Sequence, residues 1–409
     1  LPQSDALRDV ILLAYYYLPD NTSGVQRAVR FGKYLPTDGS HCYVICSSHA
    51  GDLADNPDVL HVPSGAASTR WSAVAAILQR ILPYNEQLPW VPHAVAAGSS
   101  LVSRSRISAL ISTSPPAATH LAALWLKRRH GLKWIADFRD PILGNPGRSR
   151  RWARPYDAAL QWWIFKNADA VIAVTDAVAD EWRRHYPKWA HKFHVIWNGF
   201  DPENGFGPLP IPRRAYKTLC HVGVLYALRH PVSFMSALDR LTRSGRLDPH
   251  SVRIRFIGPI QEESRFRGNP SVSALIANGC LEISGELIPR AHAMQEIASS
   301  DFLLLIDIVN LSKIGYTVPA KLYDYILTGR PILTITDRNS PTDRILAKSG
   351  VLYSCLYHDD SEAEVDRKLL SFFELPTEPA TPSTWFFENF DGKRQAATLS
   401  GLMNALAGD

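Results

Sequence analysis

A chain of 409 residues is too long for one ordinary core, so two or three domains are expected. Its 46% hydrophobic and 20% charged content excludes a disordered or fibrous chain. A net charge of +5 is too weak to argue for nucleic acid, yet it allows an anionic substrate or an anionic membrane face.

Five cysteines with no CxxC or Cys/His spacing argue against a zinc site, and no metal is expected. Cys42 and Cys46 fall in one apolar run and read as buried thiols in a reducing compartment. No apolar run approaches the ~18 residues of a membrane span. Residues 1–5 lack a signal-peptide pattern and begin without Met, which reads as a trimmed chain with a cytoplasmic location.

In chain order, residues 10–17 form a continuous apolar run, as in a central parallel strand. It stops at Pro19-Asp20-Asn21-Thr22-Ser23-Gly24, and a helical pattern follows over 25–35. Strand, loop with one glycine, helix is the opening of a nucleotide- or sugar-binding α/β unit, and a plain βα turn fits the segment equally well. No G-x-G-x-x-G is present, so a dinucleotide cofactor is not expected. A second strand is read at 41–46, helical spacing at 71–82, and a loop at 83–90 whose Trp90 either stacks on an acceptor or plugs the core. A strand at 107–114 leads through Pro115-Pro116 into a helix to about 129, which carries His120.

The strand at 133–136 runs into Asp137-Phe138-Arg139-Asp140-Pro141. These charges sit at the C-terminal end of a strand, where open α/β sheets bind ligands, and a structural Arg–carboxylate pair is the alternative. Residues 148–166 interleave arginines and Lys166 with Trp152, Trp162 and Trp163. That pattern fits a peripheral membrane contact, or a helix that buries its aromatics and leaves its basic face in water. Further elements are read as a strand at 168–175, a helix at 176–186 and a strand at 193–196.

Residues 201–214 contain four prolines and two glycines and read as a stiff linker. Beyond it the βα alternation restarts. A strand at 218–222 ends at Gly223, where a ligand can approach the backbone, and Arg229 follows six residues later, before a helix to 241. Strands follow at 252–257 and 281–285, the latter ahead of a loop with Leu287. The run Phe302-Leu303-Leu304-Leu305-Ile306 precedes Val318-Pro319-Ala320-Lys321-Leu322-Tyr323-Asp324-Tyr325, read as a helix of about ten residues that stops at Gly329 and Pro331. Lys321 at its start suits a phosphate and Asp324 one turn on suits sugar hydroxyls; a solvated Lys–Asp pair is the bland alternative. A strand at 332–335, a helix at 343–348, a strand near 351–353, a proline-rich linker at 376–382 and a terminal helix over 385–407 complete the chain.

Asp324, Gly329 and Pro331 have the spacing of the second acid, glycine and proline in the E-x7-E signature of glycosyltransferase family 4. The chain resembles that family, and within it the sub-group that builds bacterial surface polysaccharides, through D-F-R-D-P at 137–141 and V-P-x-K-L-x-D-Y at 318–325. The resemblance implies a GT-B fold: two Rossmann-like doubly wound domains, at 1–203 for the acceptor and 204–384 for the nucleotide-sugar donor, with a helix at 385–409 crossing back to the first. It implies that Arg229 and Lys321 neutralise the donor diphosphate, that Gly223 and the Leu287 loop approach the nucleotide, and that Asp324 holds the ribose. The place of the first acid, which touches the donor sugar, is held by Thr317. Gly24, Asp137, Arg139, Asp140 and His120 would lie on the acceptor side.

The function implied is retaining transfer of a sugar from a UDP- or GDP-sugar to an acceptor hydroxyl, without a metal or cofactor, the departing phosphate taking the acceptor proton. A lipid-linked glycan is the expected acceptor, with the enzyme cytoplasmic or peripheral on the inner membrane face. A natural-product glycosyltransferase, another GT-B enzyme such as an epimerase or phosphorylase, and a non-catalytic GT-B partner are the alternatives; Val224 and Thr317, where the signature has an arginine and an acid, favour the last.

Overall fold

The computed structural model describes residues 9–20, 24–36, 40–48, 56–65, 70–145, 148, 150–307 and 318–408. They divide into two compact units, one of residues up to 201 together with those from 392, the other of residues 202–391.

The first unit runs β1 (Asp9–Ala14), α1 (Val25–Tyr34), β2 (Cys42–Ser47), β3 (Val59–Val62), α2 (Arg70–Ile81), α3 (Val91–Arg104), β4 (Ile107–Ser114), α4 (Ala118–His130), β5 (Lys133–Phe138), α5 (Arg154–Asn167), β6 (Ala170–Ala173), α6 (Asp176–His185) and β7 (Phe193–Val195). The strands form one parallel sheet in the order β3-β2-β1-β4-β5-β6-β7. Ile11, Leu12 and Leu13 of β1 are fully buried, as a central strand covered on both faces requires. Strand β3 and helix α3 are not among the elements read from the sequence. Trp90 is 0% exposed, so it plugs the core. Cys42 and Cys46 are buried free thiols.

The second unit runs β8 (Lys217–Val222), α7 (Val232–Arg243), β9 (Val252–Ile257), α8 (Glu263–Arg267), α9 (Pro270–Ala277), β10 (Leu281–Ser284), α10 (Arg290–Ala298), β11 (Phe302–Ile306), α11 (Lys321–Leu327), β12 (Ile332–Thr336), α12 (Pro341–Ser349), β13 (Tyr353–Tyr357), α13 (Glu362–Phe373) and α14 (Thr384–Phe390). Its parallel sheet has the order β10-β9-β8-β11-β12-β13. A last helix, α15 (Gly392–Gly408), belongs to the first unit and packs on α1. The single terminal helix expected over 385–407 is thus two helices, the first of which lies in the second unit. Residues 376–382 hold no helix or strand, as the prolines predict.

In each sheet the strand order reverses once, between β1 and β4 in the first and between β8 and β11 in the second. Open α/β sheets bind ligands at the carboxyl ends of the strands at such a switch point. Gly24 lies in the loop after β1, and Gly223 directly follows β8.

Candidate functional site

In the second unit, β8 leads straight into Gly223, whose φ of 106° suits only glycine. Its N–H donates to the Ile257 carbonyl at 2.7 Å. Gly258, at the end of β9, has a φ of 128°, and a β-carbon there would stand 2.9 Å from the Gly223 carbonyl carbon. Two strand-end glycines therefore pack backbone to backbone, and the space over Gly223 is taken by Lys321: a β-carbon on Gly223 would stand 2.8 Å from Lys321 Nζ.

Helix α11 sets this lysine in place. It spans only seven residues, shorter than the ten expected. Gly329 follows with a φ of 67°, and a β-carbon there would come within 2.1 Å of the Ala380 carbonyl oxygen, so the stop belongs to glycine on two counts. Leu322, Tyr323, Tyr325 and Ile326 are buried, while Lys321 and Asp324 share the opposite face. The Val222 N–H donates to the Tyr325 hydroxyl at 3.3 Å, which pins the helix to the end of β8.

Arg229 closes a single 3-10 turn at 227–229, its N–H donating to the Tyr226 carbonyl at 2.8 Å. The guanidinium lies 5.6 Å from the Tyr226 ring centroid. Its Nε is buried and has no hydrogen-bond partner among the described residues. Arg229 is near enough to Lys321 for the two charges to repel. Burial and this repulsion push the Lys321 amine down to about 7. Among the described residues neither cation makes a salt bridge. Two cations with no salt-bridge partner among the described residues attract an anion, and a diphosphate fits that chemistry.

Beside the cations, Asp324 is half-buried and lies 3.7 Å from Arg290 Nη2, at the start of α10. Leu287, in the loop after β10, is 77% exposed. The structure therefore brings Gly223, Arg229, Lys321 and Asp324 together. Thr317 lies outside the described residues. Sequence reasoning missed Gly258, Arg290 and a buried histidine, His221, under Lys321. A histidine inside an apolar strand run was the one visible signal for the last.

In the first unit, Gly24 and the D-F-R-D-P turn meet. A β-carbon on Gly24 would overlap the Arg139 guanidinium, and Arg139 Nε lies 3.7 Å from Asp140 Oδ2. Asp137 and His120, also expected on the acceptor side, are buried. Asp137 is 0% exposed, because it forms a two-pronged ion pair with the equally buried Arg27 of α1, at 2.7 Å and 2.9 Å. The Thr113 hydroxyl donates to the same carboxylate at 2.8 Å. The structural pair raised as an alternative is thus real, with Arg27 rather than Arg139 as the partner.

His120 is likewise 0% exposed and packs on Phe138. Trp134 Nε1 donates to the Ser112 hydroxyl at 2.7 Å, and that hydroxyl shares a hydrogen bond with His120 Nδ1, also at 2.7 Å. Burial pushes the imidazole down to about 3, so the ring is neutral, and its Nε2 is buried without a hydrogen-bond partner among the described residues.

The paired sheets, with a candidate site at one switch point of each, define the GT-B class of fold. Residues 23–204 match Glycosyltransferase Family 4, so the resemblance read from the sequence holds over the first unit. The whole chain is similar in fold to sucrose-phosphate synthase from Thermosynechococcus elongatus, with 12% identity, a TM-score of 0.65, and 98% of this chain and 100% of that one covered. It is similar to Anabaena HepE, solved in complex with UDP and glucose, at 11% identity and a TM-score of 0.59, with 98% and 100% covered. For the lipopolysaccharide outer core galactosyltransferase WaaB the values are 12% and 0.62, with 98% and 100% covered. No curated protein matches the chain by sequence.

Proposed function

We propose that the protein is a glycosyltransferase that moves a sugar from a nucleoside diphosphate sugar, UDP- or GDP-linked, to an acceptor hydroxyl with retention of configuration. The observation that carries this reading is Lys321 lying over the bare backbone of Gly223 with a second cation, Arg229, near enough to repel it. Breaking the bond between the sugar's anomeric carbon and the diphosphate builds negative charge on the departing oxygen. Fixed cations stabilise that charge; removing one such donor usually costs ~10²–10³ in rate. The new bond forms to the acceptor oxygen, whose proton passes to the departing phosphate, so no protein base is required. No metal is invoked. Asp324 accepts from the ribose hydroxyls and exposed Leu287 offers an apolar surface to the base. UDP and glucose in HepE, and the galactosyl transfer named for WaaB, support this donor class.

A lipid-linked glycan is the favoured acceptor, which calls for a membrane-facing surface. Among the described residues no helix is long and apolar enough to cross a membrane, so the contact would be peripheral. Val74, Ile77, Leu78 and Ile81 form an exposed stripe on α2, and Trp152 is 68% exposed. The two acids at 70–90 and 148–166, Glu86 and Asp157, are buried against Arg148, so the exposed charges there are cationic. Co-sedimentation with phosphatidylglycerol vesicles, lost in Ile77→Glu and absent with phosphatidylcholine, is the expected result.

Thermal unfolding with millimolar UDP, GDP, TDP and ADP tests the donor assignment. A nucleotide at ~100 times its dissociation constant adds about 2.7 kcal/mol. One nucleotide should raise Tm, and Arg229→Ala should abolish the shift. Indifference to all four, in folded protein, would favour the non-catalytic GT-B partner.

A further inference from the structure

Lys321 rests on a side chain that the reaction proposed above leaves without a role. His221 sits on β8, two residues before Gly223, and is 3% exposed. Its Nδ1–H donates to the Leu304 carbonyl of β11 at 3.0 Å. That bond fixes the tautomer and leaves Nε2 as an acceptor, 3.4 Å from Lys321 Nζ. Burial, helped by the nearby charges of Lys321 and Arg229, holds the imidazole well below its usual pKa, so the ring is neutral.

A neutral acceptor suits this place. The lysine stem has much rotamer freedom, and an unanchored ammonium would sample many positions. A carboxylate at 221 would order the ammonium but cancel its charge. An imidazole orders it and leaves the charge for an anion. The titratable groups facing Lys321 are Cys220 and His221 of β8 and Arg229 of the turn that follows. Among the described residues, His221 is the side chain that accepts from it.

We propose that His221 is a positioning residue for Lys321: by accepting a hydrogen bond from the ammonium at Nε2 it holds the amine over Gly223 and beside Arg229, so that both cations are in place before a diphosphate arrives. This rests on the donor-diphosphate reading above. It assigns to His221 no contact with substrate.

Calorimetric titration with inorganic pyrophosphate from pH 6 to pH 9 tests it, with Tm followed in parallel. Pyrophosphate probes the cations whatever base the true donor carries. His221→Phe keeps a ring against Phe256 and removes both hydrogen bonds; His221→Gln keeps an amide acceptor. His221→Phe is expected to weaken pyrophosphate roughly tenfold at pH 7 and to move the alkaline loss of binding to lower pH, because the ammonium has lost an acceptor. His221→Gln should recover most of the affinity. If the phenylalanine variant does not fold, His221→Leu takes its place with the same expected loss. Wild-type affinity and pH profile in the apolar variant, alongside lost binding in Lys321→Ala, would overturn the positioning role and leave the diphosphate reading standing. A wild-type protein that takes up no pyrophosphate would overturn both.

Discussion

The guanidinium of Arg139 occupies the volume that a β-carbon on Gly24 would need, with Nη1 1.0 Å and Cζ 1.9 Å from that position. Gly24 has a φ of −101°, which any residue adopts, so the backbone does not demand glycine there. The demand comes from Arg139, whose charged head lies on the loop after β1. Gly24→Ala should displace that head with little effect on Tm, and turnover should fall as it does in Arg139→Ala. In a double-mutant cycle the alanine at 24 should cost almost nothing once Arg139 is gone; equal losses in both backgrounds would separate the two residues.

The Arg27–Asp137 pair is internal and fully bonded. Arg27 also donates to the carbonyls of Ile196 and Trp197, at 2.9 Å and 2.8 Å. Asp137→Ala leaves a buried cation uncompensated and should destabilise the first unit by about 3–5 kcal/mol. Replacing both, as Arg27→Met with Asp137→Leu, should cost less than the single change. Urea unfolding followed through the first unit's transition measures both.

Lys321 gives the second unit a pH signature whose sign is fixed. With its folded pKa near 7 against 10.5 unfolded, the native state binds fewer protons than the unfolded state between those values. Stability without ligand should therefore rise with pH across that window, and Lys321→Met should flatten the rise. A bound diphosphate favours the ammonium, so nucleotide affinity should fall as pH climbs above about 7. Calorimetry in buffers of different ionisation enthalpy should register proton uptake on binding.

His120, with a folded pKa of about 3, should show ring resonances that do not titrate between pH 5 and pH 9. Its native state binds fewer protons than the unfolded state below about 6.5, so its contribution to stability is lost as the solution is acidified toward pH 3. His120→Phe should weaken that acid dependence. An NMR titration with a midpoint near 6.5 would contradict the buried assignment.

Much of the architecture was legible because central parallel strands are long apolar runs. The strand read at 252–257 has those bounds in the structure, and the helix read at 25–35 is α1. Strand β3 was not, since three of its four residues are only half-buried and leave no strong pattern. Helix α13 went unread although Ser361 and Glu364 form a capping box, a signal present in the sequence. In the site, Gly223, Arg229 and Lys321 could be picked out because each has a local reason to exist: a strand end, a cation before a helix, a helix start. Arg27 with Asp137, 110 residues apart, and His221 with Lys321, 100 apart, could not, because only the folded sheets bring them together.

The last helix carries a consequence for how the protein is made. Ala396, Leu399 and Met403 of α15 sit in the same core as Val10, Leu12 and Phe31. The Gly392 N–H donates to the Phe200 carbonyl at 3.0 Å, where the chain re-enters the first unit. During synthesis the first sheet is assembled some 190 residues before this helix emerges, and at roughly 5–20 residues per second that is an interval of about ten seconds or more. Throughout it the apolar face of α1 lacks its cover, so the N-terminal half is expected to be a client for chaperones while the second unit forms. A nascent chain stalled before residue 392 should bind a holdase, and one released after residue 408 should not.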